Sequence, residues 1–393
     1  MVKALECERC GFKEYLLTEE KSYDKCPSCQ SIVILQEKNE LPEQLQKIAN
    51  IANQNFTYGN IKIDNYSVFF ETDELYKTPE DVISSFEKID FYPFMRREKG
   101  KLIVTLRPSP PKKEFSYKKN LILFLLTIIS TTIAGYFMAV PHIEYGSITN
   151  PWIGAITFSF SIMLILGSHE MGHYLIARKN GVDATLPYFI PAPFILGTMG
   201  AVINIRSFIP NKNSAIELGL SGPLAGILVA IPITIVGIKL SPIVPITVFG
   251  ESSLFLGEPL IFQLIANSIV NVAEGYSLYL HPVAFAGWAG IFVTMLNLIP
   301  MGQLDGGHIA RAVLGPTYHR YLSFIVAISL FFIGIFTWAG WSLWGIIGFY
   351  LAYRGHPGSM NEITPLDEKH WIMVGIAIIL FIVSTMVVPI KMG

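Results

Sequence analysis

The sequence predicts a polytopic α-helical membrane protein of about seven spans, with an N-terminal four-cysteine module and a small cytosolic α+β domain. Of its 393 residues, 51% are hydrophobic and only 15% are charged, and apolar runs of near-bilayer length recur after residue 120. All four cysteines precede residue 30, and residues 31–116 contain no span-length apolar run. The net charge of −1 gives no reason to predict a nucleic-acid partner.

The four cysteines form two pairs, Cys7-x-x-Cys10 and Cys26-x-x-Cys29. This spacing is typical of tetrahedral thiolate knuckles, which hold a metal in a reducing compartment. A pair of disulfides is the alternative, and it is disfavoured for a cytosolic N-terminus. The module resembles zinc ribbons and, less closely, rubredoxins, so residues 1–34 are expected to hold a structural zinc, with iron left open. Four protein ligands leave no position for catalysis.

Residues 35–116 are predicted to form the α+β domain. Residues 42–53 and 79–89 are helix-like and begin with proline. Residues 66–72 and two runs flanking residues 98–101 are typical of strands, the latter as a hairpin. The proline-rich residues 108–111 are interpreted as the linker to the membrane part, residues 117–393.

Seven spans are predicted from the apolar runs, and their approximate bounds are 120–140, 152–177, 214–239, 283–300, 320–337, 341–353 and 371–389. Lys and Arg flank one side of these spans, whereas the loops 141–151, 241–282 and 338–340 contain neither, with Lys239 as a nearby exception. The positive-inside rule therefore places the N-terminus in the cytosol and the C-terminus outside. The start of the chain has no apolar signal-peptide core, which agrees with this orientation, and the cell membrane is the expected location.

Two segments do not fit simple spans. Residues 184–208 are apolar but broken by prolines and glycines, which predicts a re-entrant loop or a membrane-embedded hairpin. Residues 259–280 are expected to lie along the outer surface.

His169-Glu170-x-x-His173 lies inside the second predicted span. Helix positions i and i+4 share a face, so the two histidines can bind one metal while Glu170 stands beside its open position. The alternative is two satisfied core histidines and a buried carboxylate, which would bury three polar groups in hydrocarbon. A catalytic zinc needs a third protein ligand. Asp305 is the candidate, because the fourth span ends in a proline- and glycine-rich stretch that reaches the same depth from the cytosolic side.

Other polar residues near this site have two interpretations. Asn297, an amide in an apolar helix before Asp305, is the candidate oxyanion or substrate contact, with a helix-to-helix hydrogen bond as the alternative. His308 could approach the metal, but a cytosol-facing histidine is favoured. The small residues Gly222 and Gly226 are interpreted as helix packing, and the remaining histidines receive no role.

HEMGH at residues 169–173, followed by Leu-Asp-Gly at 304–306 on a later span, resembles the site-2 proteases, intramembrane zinc metalloproteases. HEMGHYLIARKNGV, LPYFIPAPFILGTMGA and HPVAFAGWAGIFVTMLNLIPMGQLDGGH are similar to the plastid branch known from yellow-green, gravitropism-deficient plants and to its prokaryotic relatives. The resemblance implies that His169, His173 and Asp305 are zinc ligands, Glu170 the general base, and Asn297 an oxyanion or substrate contact. The four-cysteine module and Gln303, where many members have proline, depart from the pattern.

The resemblance implies an endopeptidase that cleaves transmembrane segments of other membrane proteins in the bilayer. A membrane-embedded pseudoprotease or chaperone is the alternative, and a metal transporter is disfavoured because the spans carry almost no charge away from the site. Residues 197–205 offer a β-like run to which an unwound substrate could add as a strand. That segment could equally serve only as a plug against lipid.

Overall fold

A computed structural model describes residues 2–7, 10, 12–16, 26, 29, 31, 34–38, 42–64, 67–98, 100–110, 116–250 and 253–392 of the chain. These residues divide into two compact units. The first comprises residues 1–112 with two later segments, 207–212 and 359–365, and the second comprises the remaining residues of 113–393.

The first unit is a sheet with two helices. Its strands are β1 Val2–Glu6, β2 Lys13–Leu16, β3 Ile34–Lys38, β4 Asn60–Asp64, β5 Ser67–Thr72, β6 Phe91–Glu98 and β7 Lys101–Pro108, and its helices are α1 Glu43–Asn53 and α2 Pro79–Glu87. The seven strands pair antiparallel in the order β3-β1-β2-β4-β5-β7-β6. The predicted helices and the predicted hairpin are therefore confirmed.

Local sequence explains how these elements begin and turn. The Thr78 hydroxyl accepts a hydrogen bond from the Asp81 N–H at 3.3 Å, and proline fills the first turn of α2, where no N–H partner is needed. Gly100 has φ +86°, which allows the tight turn between β6 and β7. Phe56 and Phe70 are fully buried and pack edge to face with ring centroids 5.5 Å apart, so aromatic burial holds the helices on the sheet.

The strands of the two predicted N-terminal modules share this one sheet. β2 pairs with β4, with Lys13 opposite Ile63 and Leu16 opposite Asn60. One sheet thus contains strands from both sides of residue 34, where the sequence suggested a domain boundary. The division into a separate ribbon and an α+β domain remains a prediction.

The segments 207–212 and 359–365 complete the first unit in a way that the sequence did not predict. Phe208 packs edge to face against Phe94, with ring centroids 4.9 Å apart. The Met95 N–H donates to the Met360 carbonyl at 2.7 Å, and the Met360 N–H donates to the Ile209 carbonyl at 2.9 Å. These backbone bonds extend the sheet beyond β6 with two short pieces of distant chain.

The second unit is helical. Its helices are α3 Tyr117–Ala139, α4 Pro151–Lys179, α5 Lys212–Leu240, α6 Leu260–Ile269, α7 Pro282–Asn297, α8 Asp305–Phe336, α9 Ala339–Arg354 and α10 Glu368–Ser384. Its short strands pair two by two: β8 Tyr188–Pro191 with β9 Thr198–Val202, β10 Ile243–Pro245 with β12 Tyr276–Leu278, and β11 Leu254–Leu256 with β13 Ile390–Met392. Short 3₁₀ turns lie at Val140–Ile143 and Ile246–Val248.

Helices occupy all seven predicted span positions, but they differ in length. Within the described residues, four are long and apolar enough to cross a membrane by length and composition, namely 117–143, 151–179, 212–240 and 305–336. Helices α7, α9 and α10 have only 16 or 17 residues. The integral membrane character is therefore supported, and the number of spans remains a prediction.

Two details of the membrane unit differ from expectation. The fifth span was expected to start near residue 320, whereas α8 begins at Asp305 and is interrupted at Gly315, which has φ 75° and ψ −179°. Gly306 and Gly307 were expected in unwound chain, but both are helical. Their lack of a Cβ serves close approach instead, because a Cβ on Gly307 would lie 2.5 Å from the Gly302 carbonyl oxygen.

The unassigned segments are now defined. Residues 184–208 contain the β8–β9 hairpin, as one of the two predicted alternatives, and residues 259–280 contain α6 and β12.

Close approach of helices positions the centre of this unit. A Cβ on Gly237 of α5 would overlap the backbone of Ala284 on α7, and a Cβ on Gly290 of α7 would lie 2.7 Å from the Ile165 side chain on α4. Small residues at helix interfaces allow this packing where the hydrophobic effect offers no drive between helices. Outward-facing side chains are apolar, for example Phe137 at 70% and Phe336 at 84% exposure, as expected for a lipid-facing surface.

Candidate active site

Helix α4 carries three polar side chains that are buried together near its C-terminal end. His169, Glu170 and His173 are 3%, 8% and 6% exposed. One helical turn separates the two histidines, so their rings lie on one face and their Nε2 atoms are 3.1 Å apart. The geometry is the one that the spacing predicted.

Asp305 joins the two histidines from a distant part of the chain. Its Oδ2 lies 3.3 Å from the Nε2 atom of His169 and 3.3 Å from that of His173. Asp305 is the first residue of α8, which packs tightly on the end of α7, because a Cβ on Gly306 would overlap the Leu298 carbonyl. Packing of α8 against the end of α7 thus sets the position of this carboxylate.

The three atoms fit a tetrahedral metal. Ligand atoms at about 2.0–2.1 Å from a tetrahedral zinc lie roughly 3.3–3.4 Å from one another, close to the spacing found here. Asp305 Oδ2 is buried and has no hydrogen-bond partner among the described residues. The His173 Nδ1–H donates to the Leu218 carbonyl at 2.9 Å, which leaves the Nε2 lone pair for a metal. His169, His173 and Asp305 could therefore hold one zinc.

Glu170 lies outside the three-ligand group and has a different partner. Its Oε2 accepts a hydrogen bond from the Ile203 N–H at 2.8 Å. Ile203 directly follows β9, so the hairpin anchors one oxygen of the carboxylate and leaves the other available. Sequence reasoning did not find this contact, since residues 170 and 203 belong to separate elements.

Asn297 ends α7 at the same site. Its Nδ2 lies 3.1 Å from His169 Nε2, so the amide stands at the edge of the three-ligand group. The structure brings together all five residues that the sequence proposed for catalysis and metal binding.

Comparison with known proteins finds a family that is similar to this region. Residues 157–340, which contain all five of these residues, match Peptidase family M50. This region is called the M50 segment below, and its buried polar group the M50 site.

Curated relatives of the M50 segment carry zinc metalloprotease names. "Probable zinc metalloprotease EGY2, chloroplastic" of Oryza sativa subsp. indica is 31% identical over 223 residues, which cover 55% of this chain and 39% of that protein. "Probable zinc metalloprotease EGY1, chloroplastic" of Arabidopsis thaliana is 28% identical over 297 residues, which cover 70% of this chain and 54% of that protein. The chain thus spans about half or less of these relatives. No solved structure matches it significantly.

Two glycines of α5 form a wall of the M50 site, a role that the sequence did not suggest. A Cβ on Gly222 would overlap the imidazole of His173, and a Cβ on Gly226 would lie 3.2 Å from His169 Nδ1. The two glycines are four residues apart, as are the two histidines, so successive turns of α5 and α4 face each other. The matched spacing is the sequence signal that could have revealed the contact.

The four cysteines of the first unit also converge. Cys7 and Cys29 have Sγ atoms 3.5 Å apart, as do Cys10 and Cys26, and all four sulfurs lie within 4.8 Å of one another. Four sulfurs around a zinc at about 2.3 Å lie roughly 3.7 Å apart, so this set fits a metal. No disulfide joins any two of these four cysteines. Hydrogen bonds from Ser31 lower the pKa of the Cys29 thiol to about 6, which favours a thiolate ligand.

Gly222→Ala is predicted to abolish zinc binding at the M50 site, because the new methyl group would occupy the space of the His173 ring. Alanine favours helix by about 1 kcal/mol over glycine, so a general loss of α5 is not expected. Gly226→Ala is the matched control, because its new methyl group would lie close to the His169 ring without overlapping it. This variant should retain zinc at least in part. Metal content of the purified variants, measured by mass spectrometry, decides; equal zinc in Gly222→Ala and wild type would contradict the packing argument.

The four-cysteine site is predicted to bind metal independently of the M50 site. Wild type should hold two metals per chain, and Cys7→Ser/Cys10→Ser should hold one, because its lost ligands are all in the first unit. Cleavage of a small substrate should be retained. Loss of both metals in this variant would show that the two sites are coupled.

Proposed function

We propose that this chain is a zinc-dependent intramembrane endopeptidase that cleaves transmembrane segments of other membrane proteins. The observation that carries the proposal is the buried group of His169, His173 and Asp305, with ligand atoms 3.1–3.3 Å apart, beside the carboxylate of Glu170. Burying such a group among apolar helices is costly, so its presence there indicates a functional site. The M50 match and the zinc metalloprotease names of the relatives support the same reaction.

His169, His173 and Asp305 would hold the zinc with three protein ligands, which would leave a fourth position for chemistry. A bound zinc supplies Lewis acidity and lowers the pKa of water to about 7. Glu170 takes the proton from the attacking water and later gives it to the leaving amine. The Ile203 N–H holds one carboxylate oxygen of Glu170, so the other is oriented for this transfer.

Asn297 is proposed as the donor to the oxyanion. Its side-chain Nδ2 lies beside the ligand group, where the carbonyl oxygen of a scissile bond would develop negative charge. A preorganised donor at such a position lowers the barrier because it need not reorient during the reaction. The Asn297 amide would then contact substrate as well as packing α7 against α4.

The sheet formed by β8 and β9 is proposed to present the substrate. A peptide bond in a helix is shielded by its own hydrogen bonds, so a substrate must unwind, and its freed backbone groups need new partners in the membrane. Within the described chain β9 pairs only with β8, which leaves its other edge for strand addition. Val202, at the end of β9, is 49% exposed and directly precedes Ile203.

The proposal includes a cellular setting. The charge distribution of the loops supports a cytosolic N-terminus and an outer C-terminus in the cell membrane, with the bilayer and transmembrane proteins as partners. A second, structural metal at the four cysteines completes the cofactor set.

Glu170→Gln is predicted to keep zinc while cleavage falls by a factor of roughly 10² to 10⁴, because the base is not a ligand. His169→Ala and Asp305→Ala should lose the zinc of this site as well as activity. The test measures the cleavage rate of a generic transmembrane substrate and the zinc content of each purified variant. The matched control is Glu274→Gln, an exposed carboxylate in the same unit. Normal turnover by Glu170→Gln would exclude the protease, and a wild type that binds but never cleaves substrate would indicate a pseudoprotease.

Val202→Pro is predicted to impair cleavage about tenfold while zinc content holds, because proline removes a backbone donor from β9. Val202→Ala keeps the donor and serves as control. Strand addition also predicts that glycine near the scissile bond speeds cleavage. If Val202→Pro cut as fast as Val202→Ala, or a rigid polyleucine substrate as fast as a glycine-containing one, the hairpin would serve only as a plug.

A further inference from the structure

Three histidines outside the ligand group lie against one another in the membrane unit. His308 and His356 have ring centroids 4.6 Å apart, and the rings of His356 and His319 are 5.5 Å apart. The Nδ1 atom of His308 lies 3.0 Å from the Nε2 atom of His356. From the sequence, His308 is expected to face the cytosol, and His319 and His356 receive no role.

The hydrogen bonds fix which nitrogen of each ring carries the proton. The Gly358 N–H donates to His356 Nδ1 at 2.9 Å, so that nitrogen is an acceptor and the proton of a neutral ring is on Nε2. His356 Nε2–H then donates to His308 Nδ1, which places the proton of His308 on its own Nε2. One backbone amide therefore sets the tautomers of two histidines in sequence.

His356 remains neutral in this arrangement. Burial lowers the pKa of His356, and the neighbouring His308, His319 and Arg311 lower it further, since each added positive charge would repel another. His356 therefore acts on His308 as a neutral hydrogen-bond donor, and its fixed N–H direction determines which nitrogen of His308 accepts.

His308 lies beside the ligand group. It is three residues after Asp305 on α8, which puts both side chains on one helix face. The same turn of α5 contacts both residues, because a Cβ on Gly219 would lie 2.6 Å from the Asp305 carbonyl oxygen and 3.3 Å from His308 Cβ. In the described part of the chain, no group accepts a hydrogen bond from His308 Nε2. The ring is half-buried, and its fixed N–H lacks a partner among the described residues.

We propose that the Nε2–H of His308 donates a hydrogen bond to a carbonyl oxygen of the unwound substrate beside the scissile bond, and that His356 is the positioning residue that holds this tautomer. The inference rests on the proposed protease function and adds a substrate contact to it. An unwound segment loses the donors for its carbonyls, and each unpaired carbonyl in the membrane costs several kcal/mol. No proton is transferred, so the contact needs no further reactant.

Four variants test the contact in the full-length, zinc-loaded protein with a generic transmembrane substrate. His308→Leu should lower kcat/KM roughly tenfold, the effect of one lost hydrogen bond, with zinc content unchanged. His308→Gln keeps an N–H donor and should lose less. His356→Leu should lower kcat/KM, and His308→Leu/His356→Leu should be no worse than His308→Leu alone, because His356 acts through His308. Additive losses, or full activity of His308→Leu, would overturn the proposal.

A second measurement does not depend on cleavage. Nitrogen NMR of ¹⁵N-histidine-labelled protein distinguishes the two neutral tautomers, and the His308 signal is identified by its absence in His308→Gln. We expect the Nε2–H form in wild type and a mixture of forms in His356→Leu. An Nδ1–H form of His308 in wild type would overturn the proposal even if the protein cleaves. A wild type with the expected tautomer but no cleavage would instead overturn the protease assignment.

Discussion

The close approach of three electron-donating atoms, those of His169, His173 and Asp305, constrains the rest of the membrane unit. Two imidazole nitrogens and a carboxylate oxygen lie within 3.3 Å of one another in a buried region. Lone pairs and negative charge packed this closely are unfavourable unless a cation lies between them. The arrangement therefore fits the proposed metal site, and the neighbouring residues can be understood by how they maintain it.

The neighbours maintain it by shape and by hydrogen bonding. Gly222 and Gly226 give the two imidazoles room against α5, and the Leu218 carbonyl on the same helix fixes the His173 tautomer. One helix thus provides both the space and the orientation. Gly219, one turn earlier, lets the start of α8 approach, so Asp305 and α5 are positioned by the same contact surface.

The hairpin that faces the site has two connected roles in this structure. Its outgoing strand, β9, ends at Val202, and the N–H of the next residue, Ile203, holds Glu170. Five residues after Ile203, Phe208 packs in the core of the first unit. The second segment of that unit, 359–365, begins just after Gly358, which orients His356. Both chain segments that reach the site groups are thus continuous with the sheet of the first unit.

The sequence by itself determined the features that depend on local backbone geometry. The helical repeat places His169 and His173 on one face, and the Cys-x-x-Cys spacing keeps the two cysteines of each motif near each other, whatever the rest of the chain does. Asp305 was also predicted as the third ligand, although it is far from the histidines in sequence, because the membrane fixes the depth of each residue along a span. Span direction and residue count fix depth, and only groups at equal depth can meet.

Only the tertiary structure decided which elements lie side by side at that depth. The contacts of Gly222 with His173, of Ile203 with Glu170 and of His356 with His308 join segments whose relative rotation and spacing no local pattern encodes. The same holds for residues 207–212 and 359–365, which read as ordinary loops and yet complete a sheet. The hydropathy pattern of the sequence predicts how deep a residue lies in the membrane. Which helices lie side by side depends instead on the shapes of all the side chains together.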